Sequence, residues 1–297
     1  MSDRPVAPEC RISRSASIEA ELKRTAATEI EFALAEMRAS ARRPAHAVHQ
    51  CRKAIKRVRA LVRLGRGDAD AGREIDRKLR DAGRLLAAAR DADVIRKTAA
   101  RLCADNTLSR SIDVGGGRAA AKPDRDVTRR VMEQLSDVRA EIEDYFDGRT
   151  RTPESLGAAT DWTYGKAVRL MKRFGDRGGR RLAHAWRKSV QRYTNQLKLM
   201  ADLWPERAAA ELGPLDALAE CLGEFNDLTI LRVALEAGHI GSDGETRSAL
   251  RKLARARQRA LRQRALKLGE SAFPSPGRRS AATPAGLEKD PPKSPVI

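Results

Sequence analysis

At 297 residues the chain can bury one large core or two modest ones, and it contains no apolar run of membrane-spanning length. Four scattered cysteines (Cys10, Cys51, Cys103 and Cys221) form no paired CxxC motif, which argues against a disulfide scaffold or a zinc site. The net charge of +19 makes a polyanion the default partner, although an Arg- and Ala-rich composition alone can inflate basicity, so the placement of charge has to decide.

Apolar residues recur at helical spacing over about 15–40, 45–66, 71–89, 92–104, 124–147, 154–175, 180–204, 206–223, 227–237 and 245–268. No segment alternates long enough to predict a strand. Pro44, Pro153 and Pro205 fall at expected helix starts, where a missing N–H costs nothing. Residues 105–123, with Gly115, Gly116, Gly117 and Pro123, read as a link, and 270–297 as a disordered tail. With no signal-peptide apolar stretch after Met1, the expectation is a cytoplasmic protein that does not engage a membrane.

One segment is written twice. His49 to Leu64 aligns without gaps to His184 to Leu199, so that His49 meets His184, Arg52 meets Arg187, Lys53 meets Lys188, Arg57 meets Arg192 and Arg63 meets Lys198. A second block repeats at nearly the same distance: RDADVIR around Asp91 resembles NDLTILR around Asp227. Matching blocks in matching order predict two homologous halves, 12–148 and 153–268, within one domain spanning 12–268. The expected fold is all-α: two homologous antiparallel helical bundles forming one duplicated domain, with a basic groove between them.

At about 100° per residue, Arg52, Lys53, Lys56, Arg59 and Arg63 share an arc with His49, beside an apolar arc of Cys51, Ile55, Val58 and Val62. In the second copy His184, Arg187, Lys188 and Lys198 take the cationic arc, diluted by Gln191 and Thr194, and Trp186, Val190, Tyr193 and Leu197 take the apolar one. No acid interrupts Met37 to Arg63, so like charges repel along the helix without relief. Such stripes suit phosphate, with arginine forking onto oxygens and lysine acting as a point charge. A secondary track is expected at Arg73, Arg77, Arg80 and Arg84, extended by Arg169 and Arg173, although Asp76 and Asp81 lie close enough for local pairing.

His49 and His184 are open to catalysis, metal ligation or anion donation. Surrounding cations argue against a metal, so donation to phosphate is the economical reading, and phosphohistidine chemistry stays open. Asp91 and Asp227 stand at expected helix starts, which makes N-capping the expectation for both.

These residues resemble the CHAD family, the conserved histidine α-helical domains. The resemblance rests on His49-x-x-Arg52-Lys53, on His184-x-x-Arg187-Lys188, on Arg90-Asp91 and on the stretch ending in Asn226-Asp227. It implies a non-enzymatic protein that binds inorganic polyphosphate in a His/Arg/Lys-lined groove and associates with polyphosphate granules, with no cofactor. Carried across, the groove would use His49, Arg52, Lys53, Arg63, His184, Arg187, Lys188 and Lys198. Nucleic acid is the second partner class that the charge allows, and a phosphate-transferring or polyphosphate-cleaving enzyme the third. Glu19-x-Glu21-x-Lys23 matches the signature of the triphosphate-processing CYTH domain, but on a helix its two glutamates point about 200° apart and cannot share a metal.

Overall fold

The computed structural model describes residues 5, 7–13, 17–64, 69–105, 123–147, 151–238 and 244–274. Among them the secondary structure is helical throughout: α1 (Ile18–Arg38), a 3-10 turn (Ala39–Ala41), α2 (Pro44–Leu64), α3 (Ala69–Leu85), α4 (Ala87–Asp105), α5 (Arg125–Phe146), α6 (Pro153–Arg177), α7 (Arg180–Leu199), α8 (Pro205–Glu236) and α9 (Gly244–Ala272). The expected all-α class holds. Most of the expected link (106–122) and tail (275–297) lie outside the described residues.

Local chemistry explains the starts of α1, α2, α6 and α8. Pro44, Pro153 and Pro205 are first helical residues as expected. The Ser17 hydroxyl accepts from the Ala20 N–H at 3.2 Å, and Thr152 and Ser155 form a reciprocal capping box ahead of α6.

Three expectations about boundaries are corrected. The expected helices 206–223 and 227–237 are one continuous α8, because Glu224, Phe225 and Asn226 contain no breaker and Phe225 is buried against Phe174, ring centroids 5.8 Å apart. The break expected near residues 90–91 falls instead at Leu86, which is fully buried between α3 and α4. Lastly, α9 runs past 268 to Ala272, and Phe273 packs edge-on to Tyr164 at 5.1 Å, so residues 270–274 belong to the ordered body.

Two apolar cores form. One is built on α1, α2, α3 and α5, the other on α6, α7, α8 and α9. The apolar arcs expected on α2 and α7 supply them: Cys51, Ile55, Val58 and Val62 are buried in the first, Trp186, Val190, Tyr193 and Leu197 in the second. The two cores exchange parts. Ala99 and Leu102 of α4 pack into the second core, whereas Leu156 and Leu199 join the first, and the Ile12 N–H donates to the Leu199 carbonyl at 2.8 Å. With α4 lying along α8 and α2 against α7, the halves interlock rather than stand as separate bundles. That interlock fixes the spacing of the two basic helices.

The Glu19 and Glu21 carboxylates have separate structural jobs. Glu19 accepts from the Arg151 backbone N–H, and Glu21 pairs with Arg24 at 2.9 Å and accepts from the Ser13 N–H at 2.8 Å. Beneath the first core, Arg57 makes a two-pronged pair with fully buried Glu29, both contacts at 2.6 Å. Removing one partner strands a buried charge, so Glu29→Ala should lower unfolding free energy by about 3–5 kcal/mol in urea titration. A loss below about 1 kcal/mol would contradict an operative buried pair.

Candidate functional site: a basic groove between α2 and α7

Packing the apolar arcs of α2 and α7 inward leaves their cationic arcs facing a two-lobed groove. The larger lobe, about 800 Å³, takes its cations chiefly from the start of α2 (His49, Arg52, Lys53, Lys56) and from Arg187 and Lys198 of α7. The smaller, about 290 Å³, takes the end of α2 (Arg59, Arg63) and the start of α7 (His184, Lys188). Arg52, Lys56 and Arg187 line both lobes and mark the middle of the groove. All ten residues expected to bind the anion therefore border one continuous depression.

The secondary track divides. Arg80 and Arg84 line the smaller lobe. Arg73 and Arg77 do not, and are instead paired locally with Asp70 and with Glu74 and Asp81. Arg169 and Arg173 are exposed on α6 and line neither lobe, so the expected extension across the domain does not join the groove.

The two lobes differ in sign. Among the described residues no carboxylate lines the smaller lobe, whereas Asp91, Asp216, Glu220 and Asp227 enter the larger one. Lys198 is held there by both Asp216 oxygens, at 2.7 and 2.8 Å. Arg59 and Arg63 are both clamped by Asp76, which stands behind the lining. Burial alone would raise the Asp76 pKa, but the Arg63 and Arg59 guanidiniums override it and hold it near about 2. Those two arginines are thus oriented in advance, at the cost of sharing one countercharge. Arg52 donates to the Gly83 carbonyl, which fixes its guanidinium across the α2–α3 contact.

Asp91 and Asp227 are not caps. Asp91 lies inside α4 and Asp227 midway along α8, and both line the larger lobe. Burial pushes both carboxyls up, opposed by Arg52 and Arg90 at Asp91 and by Arg187 and Arg90 at Asp227. The repeated acid therefore faces the repeated arginine, Arg52 with Asp91 and Arg187 with Asp227. Weak positioning of arginine is the work this geometry allows.

Along the groove several cations lack a direct ion pair. Lys53, Lys56, Arg187 and Lys188 make no ion pair among the described residues. Burial, then Arg187, Arg52 and Arg90, bring Lys56 down to about 7. His49 reaches solvent at the groove wall, yet desolvation, then Arg90, Lys53 and Lys56, lower it to about 4. His184 is lowered too, first by desolvation, while its Nδ1 contacts the Asn226 Oδ1 at 3.0 Å. That contact fixes the ring's orientation and leaves Nε2 for a ligand. Among the described residues no group of three or more His, Cys, Asp or Glu is placed to hold a metal ion.

Several lining residues were not in the expected set. Arg90, Arg192, Gln191, Asn195 and Asn226 contribute polar atoms. Arg192 and Arg90 had a signal, since one is the repeat partner of Arg57 and the other precedes Asp91. Arg57 shows why the repeat alone does not assign roles: it reaches the larger lobe but is committed to Glu29. Gln191 falls on the cationic arc, where it dilutes the charge, and Asn195 carries no charge and gave no signal.

Comparison with known proteins agrees with this picture. A family model described as the CHAD domain matches residues 26–236. A solved structure, the crystal structure of the CHAD domain from the plant Ricinus communis, superposes with a TM-score of 0.60 at 17% identity, covering 91% of this chain and 94% of that one. At that identity the likeness speaks for the fold. No curated protein sequence matches the chain. With the family model spanning most of the sequence and the helical fold shared with a CHAD structure, the chain belongs to the CHAD domain family.

Proposed function

We propose that the chain binds inorganic polyphosphate, without turning it over, along the groove between α2 and α7. The observation that carries this reading is the set of groove cations that make no ion pair among the described residues: Lys53, Lys56, Arg187 and Lys188. Folding desolvates like charges there, and burial lowers Arg187 and Lys188 as well as Lys56. Lys56 and Arg187 are half-buried, with Lys53 and Lys188 exposed beside them, and half-buried like charges are unfavourable unless an anion completes them. A linear chain of phosphates supplies one negative charge per unit along the whole groove.

Three features favour polyphosphate over the alternatives. Among the described residues no Phe, Tyr or Trp lines either lobe, so unpaired nucleic-acid bases find no stacking surface there. Of the carboxylates facing the larger lobe, Asp91 and Asp227 sit opposite arginines and Asp216 holds Lys198, and no group of three or more His, Cys, Asp or Glu among the described residues is placed to hold a metal ion, which disfavours metal-assisted phosphoryl transfer. The resemblance noted from the histidine motifs points to the same ligand. Association with polyphosphate granules follows as part of this reading. No described helix is long and apolar enough to cross a membrane.

The histidines then act as conditional donors. Both are held neutral in the free protein, and a bound phosphate chain would raise their pKa and that of Lys56. Binding should therefore take up protons. Apparent affinity should fall as pH rises from 6 to 9, the Lys56 share disappearing in Lys56→Met. Calorimetry in buffers of different ionisation enthalpy measures this, and zero proton uptake at pH 8 would contradict it.

The free protein should show the complementary effect. Lys56 is lowered in the folded state, so between about 7 and its ordinary 10.5 the unfolded chain holds the proton more readily. Stability from this group is present at high pH and is lost as pH falls toward 7. His49 continues the trend between its ordinary 6.5 and about 4. Lys56→Met should accordingly raise the ligand-free Tm at pH 7 by roughly 2–4 °C while weakening polyphosphate binding. A lower Tm would argue that Lys56 is a structural cation.

The groove itself is tested by Lys53→Ala/Lys56→Ala/Lys188→Ala. Loss of three charge-assisted contacts should weaken long-chain polyphosphate binding by at least about 100-fold, with helicity unchanged. Arg73→Ala/Arg77→Ala, a charge change in the row already paired, should alter it less than about threefold. Equal losses in the two variants would reduce the interaction to net charge. Displacement of polyphosphate by DNA or RNA at equal phosphate concentration would favour a nucleic-acid protein.

A further inference from the structure

A separate cavity of about 330 Å³ lies where the α6–α7 turn meets α8 and α9. It shares no lining residue with either lobe of the groove. The periodicity of α8 accounts for the separation. Asn226, Asp227 and Ile230 turn one flank to the groove, while Phe225, Thr229 and Val233 turn another to this cavity, about a third of a turn around the helix.

Among the described residues five arginines line it, against the single acid Glu236: Arg180, Arg232, Arg255, Arg259 and Arg262. Two of them have structural duties. Arg262 donates to the Phe174 and Gly175 carbonyls at 3.4 and 2.8 Å, closing the end of α6. Arg232 donates to Gln258 Oε1 at 2.8 Å and lies 3.6 Å from Glu236. The other three are exposed and make no ion pair among the described residues. Arg255 and Arg259 stand four residues apart on α9, a like-charge spacing that disfavours the helix.

The backbone adds donors. Gly179, with φ of 91°, precedes α7 and borders the cavity, and no side chain caps the N–H groups of the first turn behind it. A Cβ there would meet nothing within 4 Å, so the approach to Arg180 is open. In the first half the α1–α2 turn also borders a cavity against α5, where Glu133 and Asp137 stand in the lining and Arg129 is held by Asp126 and Glu133, each at 2.9 Å.

We propose that the second-half cavity is a distinct phosphoanion site, binding a di- or triphosphate group, either free or carried on a nucleotide. Arg255, Arg259 and Arg180 grip the phosphates, with the opening of α7 as an additional donor. The exposed Val233 beside Phe225 gives the floor an apolar part that a base or other flat body can cover. The site is independent of the groove and does not rest on polyphosphate being the groove's ligand.

The test titrates the full chain calorimetrically with tripolyphosphate and, separately, with ATP. It uses the groove variant Lys53→Ala/Lys56→Ala/Lys188→Ala, alone and combined with Arg255→Ala/Arg259→Ala. These two arginines are exposed, and circular dichroism verifies that the fold persists. The groove variant should retain one equivalent of binding, which the added arginine changes weaken by at least about tenfold. ATP binding tighter than tripolyphosphate assigns a nucleotide, and the reverse order assigns free oligophosphate. The proposal is overturned if the groove variant binds neither probe, or if the arginine changes leave the remaining equivalent within about twofold. Loss of long-chain polyphosphate binding in the groove variant is a separate readout, so the two assignments stand or fall apart.

Discussion

Repulsion among the cations on the facing flanks of α2 and α7 is the constraint around which the rest of the structure is arranged. Two helices would not ordinarily bring such stripes together, because each added charge raises the cost of keeping the others ionised. Here the approach is imposed by packing on the other side of each helix. Trp186, Val190 and Tyr193 on α7, and Cys51, Val58 and Val62 on α2, are buried so completely that the polar flanks have no freedom to rotate outward. The molecule absorbs the repulsion by depressing the proton affinity of Lys56 and both histidines, and by placing Asp76, Asp91 and Asp227 where they orient arginines.

The exchange of parts between the two cores gives that arrangement its rigidity. Because α4 packs on α8, and Leu199 with Met200 reaches into the first core, the groove cannot widen without disturbing both apolar clusters. A binding surface made of separately folded bundles would relax apart under the same charge. Interlock therefore holds the cationic flanks of α2 and α7 facing one another across the groove.

Much of this was legible in the residues alone. A 3.6-residue period separates the apolar and cationic arcs of α2 and α7 cleanly, and each residue assigned to the apolar arc is buried. Repetition of cations in register pointed to the candidate groove, since solubility alone does not require His49 and His184 to recur with Arg and Lys at the same offsets. What periodicity could not convey was the third dimension. Asp91 and Asp227 look like caps because acids favour helix starts, yet the helices around them continue in both directions. Arg59, Arg63 and Lys198 share the groove's stripe, but their countercharges come from Asp76 and Asp216, which lie at a distance in sequence that only packing reveals. Arg169 and Arg173 failed for the complementary reason: charge on a neighbouring helix says nothing about which way that face turns.

The most direct measurement is a crystal structure of the chain grown with long-chain polyphosphate. Phosphate density should run between α2 and α7, with oxygens within about 3 Å of Lys56, Arg187 and Lys188 and one phosphate at the His184 ring. Phosphates found only along the exposed arginines of α3 and α6, with the groove holding solvent, would contradict a ligand track between the two helices.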